Sequence, residues 1–268
     1  MTNFKTDLHI NPYIVDGSTD LIVFIHGSMD RGNSFIKTRS FLPEFSSLVY
    51  DRRGYRSSMD LDPPVGDISQ HVQDLLEILD QRKAFLVGHS FGSNIALSLA
   101  EKEPALVTGI IAYEPPLPWL DWWPPTTPGG IALSTARDPN NSANPDAKAA
   151  EEFIKFVAGE RTWESLPEKT KQQRQKEGAA LTTELFSIEK QAPYDFSQIH
   201  VPVIGANGSK TNDYFKSSTK FVTSQIQFSS FYEIDGANHG GHITHPEQFS
   251  EMVRYGLQKA KQFDLDNN

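Results

Sequence analysis

The stretch Ala84-Phe85-Leu86-Val87-Gly88-His89-Ser90-Phe91-Gly92 decides the fold. Its opening residues form a continuous apolar run, which suits a strand covered on both faces. Residues 91–102 (FGSNIALSLAEK) read as a helix, so a Gly-x-Ser-x-Gly motif falls where the strand hands over to it. The two glycines allow a cramped turn that exposes the Ser90 hydroxyl. That turn also aims the helix N-terminus, with its free N–H groups and positive dipole end, at developing negative charge. Gly-x-Ser-x-Gly by itself also fits a structural turn; the flanking strand and helix make Ser90 a candidate nucleophile.

Working outward, short apolar, β-branched runs recur at residues 21–26, 48–50, 108–113, 201–206 and 228–234. Between them, residues 68–82 (ISQHVQDLLEILDQR) place Ile68, Val72, Leu75, Leu76 and Leu79 on one helical face, and residues 246–259 read as another helix. Strands alternating with helices predict an α/β fold with a mostly parallel, helix-covered sheet. The alternation breaks after residue 114. Residues 115–128 hold six prolines in fourteen positions, which forbids regular helix or central strand, and residues 146–190 are rich in Ala, Glu, Lys and Gln. The expected organisation is one core, residues 1–114 and 193–268, interrupted by an inserted segment, residues 115–192, with an extended lead-in followed by helices. All four tryptophans (Trp119, Trp122, Trp123 and Trp163) lie in the insertion. They either add apolar surface to a pocket or anchor the insertion to the core.

Composition narrows the function classes. The chain carries 25 Lys and Arg against 34 Asp and Glu, a net charge of −9 without a basic stretch. The counterion-release attraction of nucleic-acid binders therefore has no source here, and strongly anionic substrates are mildly disfavoured. The absence of cysteine excludes disulfides, thiolate metal sites, iron–sulfur clusters and a cysteine nucleophile. Residues 1–20 mix charged and isolated apolar residues, unlike a signal peptide, and no apolar run approaches the ~20 residues that span a bilayer. The expectation is a cytoplasmic protein with no membrane partner, with residues 264–268 fraying at the end.

Taken in order, His26-Gly27 ending one strand, Asp51-Arg52-Arg53-Gly54 ending the next, Gly88 to Gly92, and Gly236-Ala237-Asn238-His239 followed by His245-Pro246-Glu247 resemble the α/β-hydrolase fold superfamily. The resemblance covers residues 21–262, least closely in the insertion, which corresponds to a helical lid. It implies a serine hydrolase acting on an ester, thioester, lactone or related carbonyl bond of a small, largely apolar substrate, without a cofactor, as a monomer or homodimer. A serine hydroxyl needs a base, and the base needs an orienting acid. The resemblance assigns Ser90 as nucleophile and His239 as base.

For the acid it offers two positions. One follows the penultimate strand, where Gly208-Ser209-Lys210-Thr211 places Thr at the usual aspartate, leaving Asp213 two residues on. The other is Glu114, in Ala112-Tyr113-Glu114-Pro115-Pro116, where the following proline holds the residue extended. Glu114 is the first choice and Asp213 the alternative, with Asp51 and Asp235 read as turn residues.

The oxyanion donors implied are the amides of Phe91 and Ser28, or of Met29 if the loop is offset by one. Trp119, Trp122, Trp123 and Met29 are expected at the substrate. His242 and His245 read as local scaffold or pocket residues, since neither a carboxylate nor an HExxH spacing accompanies them, and no metal is expected. His26 and His89 read as packing and orienting groups. Arg31, Arg52 and Arg53 read as solvated turn charges, with substrate-carboxylate binding as the alternative. The same scaffold also supports perhydrolysis, C–C hydrolysis, lyase chemistry or non-catalytic ligand binding. Dehalogenase and epoxide hydrolase relatives carry an aspartate where Ser90 stands.

Overall fold

A computed structural model describes residue 4, residues 6–141 and residues 143–267. Residues 1–3 and 5 of the N-terminal stretch read for a leader, and Asn268 at the other end, lie outside the described residues. Seven strands, β1 (Ile10–Tyr13), β2 (Leu21–Ile25), β3 (Ser46–Tyr50), β4 (Ala84–His89), β5 (Val107–Tyr113), β6 (Val203–Gly208) and β7 (Ser229–Ile234), form one sheet in the order β1-β3-β2-β4-β5-β6-β7. All neighbours pair in parallel except β1 with β3. The sheet is therefore mostly parallel, as the alternating pattern predicts. Strand β1 is an addition: it is short and carries Pro12, which an edge strand tolerates, so it leaves no apolar run to read.

The helices are α1 (Ile36–Ser40), α2 (Ile68–Leu79), α3 (Phe91–Lys102), α4 (Pro128–Arg137), α5 (Pro145–Ala158), α6 (Glu160–Ser165), α7 (Glu168–Lys176), α8 (Gly178–Ile188), α9 (Asp213–Gln225), α10 (Gly241–Thr244) and α11 (Pro246–Asn267). Alternation along each strand sends side chains to two separate cores. In β2, Val23 and Ile25 join α2, α3 and α9 residues such as Leu75, Ile95 and Val222, while Ile22 and Phe24 join Phe249, Met252 and Val253 of α11. Helix α2 starts at the Asp67 cap, whose side chain accepts from the Gln70 amide. It stops three residues short of the expected Arg82 because Asp80 turns left-handed, φ 45°. Helix α11 runs on to Asn267, through the stretch expected to fray, with Gln262 donating to Asp266 and Asn267 to the Phe263 carbonyl. Among the described residues no helix is long and apolar enough to cross a membrane.

Between β5 and β6 the proline-rich lead-in stays irregular until Thr127 caps α4, and helices α4 to α8 follow. Ala132, Leu133, Ala149, Ala150, Leu181 and Leu185 of this insertion bury against Met29 and Tyr55 of the core. Polar anchors fix the same contact. Arg52 is fully buried, not solvated: Nη1 donates to Glu184 Oε2 of α8 at 2.7 Å and to His71 Nε2 at 3.0 Å, while Nε and Nη2 donate to the His26 and Gly27 carbonyls at 2.9 and 3.1 Å. Tyr55 Oη donates to the other oxygen of Glu184 at 2.6 Å. Arg53 is equally a buried partner, forked onto Asp74 at 2.7 and 2.9 Å. Arg31 meets Glu177 at 3.4 Å. The side of α2 that packs inward thus carries His71 and Asp74 beside its leucines.

Burial alone would raise the Glu184 pKa; the Arg52 guanidinium outweighs it and holds it at about 2. Burial first, then Arg52, lowers that of His71, whose Nε2 must stay unprotonated to accept from Arg52. Both groups bind protons more readily in the unfolded chain, so both make stability fall as the pH falls: His71 below its ordinary 6.5, and Glu184 from 4.5 down through about 2. Glu184→Gln leaves the Arg52 charge unpaired and is expected to cost about 3–5 kcal/mol at pH 7 in urea unfolding. The gap between variant and parent should narrow below pH 4.5; a constant gap from pH 7 to pH 3 would contradict the assignment.

Candidate active site

Strand β4 is buried at all six positions and ends beside β2 and β5 at the carboxyl edge of the sheet. Ser90 follows at φ 55°, ψ −125°, its amide held by the Tyr113 carbonyl at 2.9 Å, and α3 begins at Phe91. A β-carbon on Gly88 would lie 2.5 Å from Ser93 Cα, and one on Gly92 2.2 Å from the Ile25 oxygen. Glycine is required at both, because neighbouring backbone occupies that space. As the first residue of α3, Phe91 has an amide with no acceptor inside the helix.

The loop after β2 comes up against this turn: a β-carbon on Gly27 would meet Ser90 Cβ at 2.8 Å. Ser28 and Met29 follow, Met29 at φ 56° with its carbonyl accepting from Arg174 at 2.9 Å. Both border the cavity that also receives Ser90 and His239.

Glu114 follows β5 at φ 50°, so it is not extended as the following proline suggested, and it is fully buried. Its Oε1 accepts from the Gly208 amide at 2.9 Å, and its Oε2 from Thr211 Oγ1 at 2.8 Å and from His239 Nδ1 at 2.6 Å. Thr211, at the position where an aspartate was sought, thus serves the glutamate on the neighbouring strand. Asp213 is exposed in the first turn of α9, and the carboxylate bonded to His239 is Glu114. With Nδ1–H given to Glu114, the lone pair of His239 rests on Nε2.

The His239 ring lies flat on Phe215, centroids 4.1 Å apart and planes within 7°. The loop carrying it is held by Tyr113 Oη on the Asn238 carbonyl and His89 Nε2 on the His239 carbonyl, each at 2.8 Å. His242 is buried with its Nε2 3.1 Å from Asp30, while His245 is a scaffold residue whose amide donates to the Gly241 carbonyl at 2.8 Å.

The cavity measures about 1390 Å³. Trp123 is the one tryptophan on its wall, edge-on to Phe215 with centroids 5.8 Å apart. Trp119 packs edge-on against Tyr194 at 6.0 Å and lies partly buried against the core, and Trp122 sits 43% exposed against Phe221. Two of the three expected pocket tryptophans are anchors or surface, because the irregular lead-in turns them away. Thr211, Phe215 and Asp30 had no sequence signal; each is defined by a partner far along the chain. Asp51, read as a turn residue, is buried and accepts from the Gly32 amide at 3.1 Å.

The sheet order and the serine turn define an α/β-hydrolase fold. Residues 22–252 match the alpha/beta hydrolase family, and the chain belongs to it. Over 124 residues it is 30% identical to Epoxide hydrolase 1 of Caenorhabditis elegans, which covers 42% of this chain and 29% of that protein. Over 112 residues it is 30% identical to Lipase LipV of Mycobacterium tuberculosis, covering 41% and 42%. The matches span less than half the length of either relative. In structure, a thermophilic esterase from Thermogutta terrifontis shares the fold with a TM-score of 0.70 over 94% of this chain and 93% of that one, at 19% identity.

Thr211→Val removes one hydrogen bond to the buried Glu114 carboxylate with little change of shape. It is expected to lower stability by about 1.5–3 kcal/mol, the range for hydrogen bonds to charged groups, in urea unfolding at pH 7. A loss near zero would mean the hydroxyl contributes nothing to holding Glu114.

Proposed function

We propose that this protein is a serine hydrolase that cleaves the ester, thioester or related carbonyl bond of a small, largely apolar substrate. The observation that carries the reading is the 2.6 Å bond from His239 Nδ1 to the buried Glu114 on a cavity that also receives Ser90. Ser90 Oγ attacks the carbonyl carbon as His239 Nε2 takes its proton. The amides of Phe91 and Ser28 hold the oxyanion, and His239 returns the proton to the leaving group. Water, activated by the same imidazole, then releases the acyl group from Ser90. Glu114 keeps the imidazole in the productive tautomer and balances the imidazolium that forms.

Helices α4 to α8 act as a lid, and Leu133, Phe153, Ile154 and Trp123 make the cavity wall apolar. That wall suits an aliphatic or aromatic group on the substrate. The similarity to an epoxide hydrolase does not carry its chemistry over, because those relatives use an aspartate where this chain has Ser90.

A fluorophosphonate probe read by intact mass tests the nucleophile. One adduct on the parent protein and none on Ser90→Ala is expected, and an adduct retained on Ser90→Ala would sink the reading. With an ester hydrolysed by the parent, Glu114→Gln should lower kcat by about 10⁴-fold, the scale seen when a triad carboxylate becomes an amide. Asp213→Asn should leave kcat unchanged, and the reverse pattern would move the acid to Asp213.

A further inference from the structure

Three side chains outside the proposed triad converge on the same cavity: Asp30 after β2, His89 at the end of β4 and His242 in α10. His242 Nε2 lies 3.1 Å and His89 Nδ1 4.0 Å from Asp30 Oδ2, and one donor atom from each residue falls within 4.8 Å of the others. The tautomer of His89 is fixed. Its Nε2 is 2.8 Å from the His239 carbonyl oxygen, which only accepts, so Nε2 carries the proton and Nδ1 the lone pair.

That lone pair is buried and without a hydrogen-bond partner, and it faces a carboxylate oxygen. Two acceptors across such a gap repel, and a buried polar atom left in this way is a place that a cation or a donor fills.

We propose that Asp30, His89 and His242 form a binding site for a divalent transition-metal ion of the zinc or cobalt(II) type, with its remaining positions open to the cavity. Two imidazoles and a carboxylate are the donor set such ions favour. Metal–ligand bonds of about 2.1 Å in tetrahedral geometry put donors about 3.4 Å apart; the histidine nitrogens lie 3.1 and 4.0 Å from Asp30 Oδ2 and all three donors within 4.8 Å of one another, so binding draws them together. Outer contacts are in place for Asp30 and His89, while His242 Nδ1 is buried without a hydrogen-bond partner. Ser34 Oγ donates to Asp30 Oδ2 at 2.9 Å, and His89 gives its other N–H to a backbone carbonyl, as metal-bound histidines do. On binding, His242 adopts its other neutral tautomer, with the proton on Nδ1 and Nε2 on the metal, so no net proton is released.

Chelator-dialysed protein titrated with cobalt(II) chloride tests this. The expected result is a visible d–d absorption band that saturates at one ion per chain and is bleached by zinc. Asp30→Asn and His242→Gln, each checked for folding by circular dichroism, should weaken binding at least as much as loss of an outer-shell partner does, about 10–100-fold. His200→Gln and His245→Gln should not change it. In the unmutated protein, imidazole nitrogen NMR should show zinc moving the His89 Nδ1 and His242 Nε2 resonances, a readout independent of variant folding. No saturable band, unmoved resonances, or a band that persists in both Asp30→Asn and His242→Gln would overturn the proposal.

Discussion

The Arg52 guanidinium is where the separate parts of this molecule meet. It is fully buried, and it divides its donors among Glu184 on the inserted helix α8, His71 on α2, and the backbone carbonyls of His26 and Gly27. A buried pair of this kind adds little net stability over an apolar replacement, because desolvation offsets the Coulomb attraction. Its effect is geometric. The same side chain that holds the insertion also fixes the backbone immediately before Ser28, and its guanidinium lies over the Phe91 ring with Cζ 5.1 Å from the centroid. Any displacement of α8 is therefore felt at the two segments expected to supply the oxyanion donors. Glu177 repeats the arrangement nearby, receiving Arg31, Arg174 and the Arg56 amide while Arg174 also binds the Met29 carbonyl.

Strain collects on the same edge of the sheet. Met29, Ser90 and Glu114 all adopt φ between 50° and 56°, a conformation that costs a non-glycine residue of order 1–3 kcal/mol and persists only where surroundings impose it. Each is held by long-range contacts: Met29 by Arg174, Ser90 by the Tyr113 carbonyl, Glu114 by the Ala206 carbonyl and the Gly208 amide. Three neighbouring strands are thus followed by one strained residue apiece, two of them on the cavity wall and Glu114 buried behind His239.

The sequence revealed what is local and periodic. Six of the seven strands were legible because parallel strands are apolar along their whole length, and the serine turn was legible because its two glycines are sterically compelled. The second carboxylate position, at Glu114, was open to inspection for the same reason: it directly follows a readable strand. Hidden from the sequence were contacts that depend on distant partners. Arg52 and Arg53 look like surface charges until Glu184, 132 residues on, and Asp74 are brought beside them. Thr211 looks like the absence of an aspartate until Glu114 is placed next to it. The tryptophans were misjudged because an irregular proline-rich segment has no periodicity from which to infer a facing direction.

How a glutamate after β5 comes to bond His239 follows from how His239 is held. Its loop is gripped from the backbone, by Tyr113 Oη on the Asn238 carbonyl and His89 Nε2 on its own carbonyl, while Phe215 covers one face of the ring. The position of the imidazole is then set before any carboxylate touches it, and the carboxylate has only to meet Nδ1. A longer side chain can do this from the neighbouring strand, provided its remaining lone pairs are satisfied in the dry interior, which the Gly208 amide and the Thr211 hydroxyl accomplish. His89 is common to this support and to the cluster with Asp30 and His242. Its Nε2 proton is committed to the His239 loop, and that commitment leaves the Nδ1 lone pair facing Asp30.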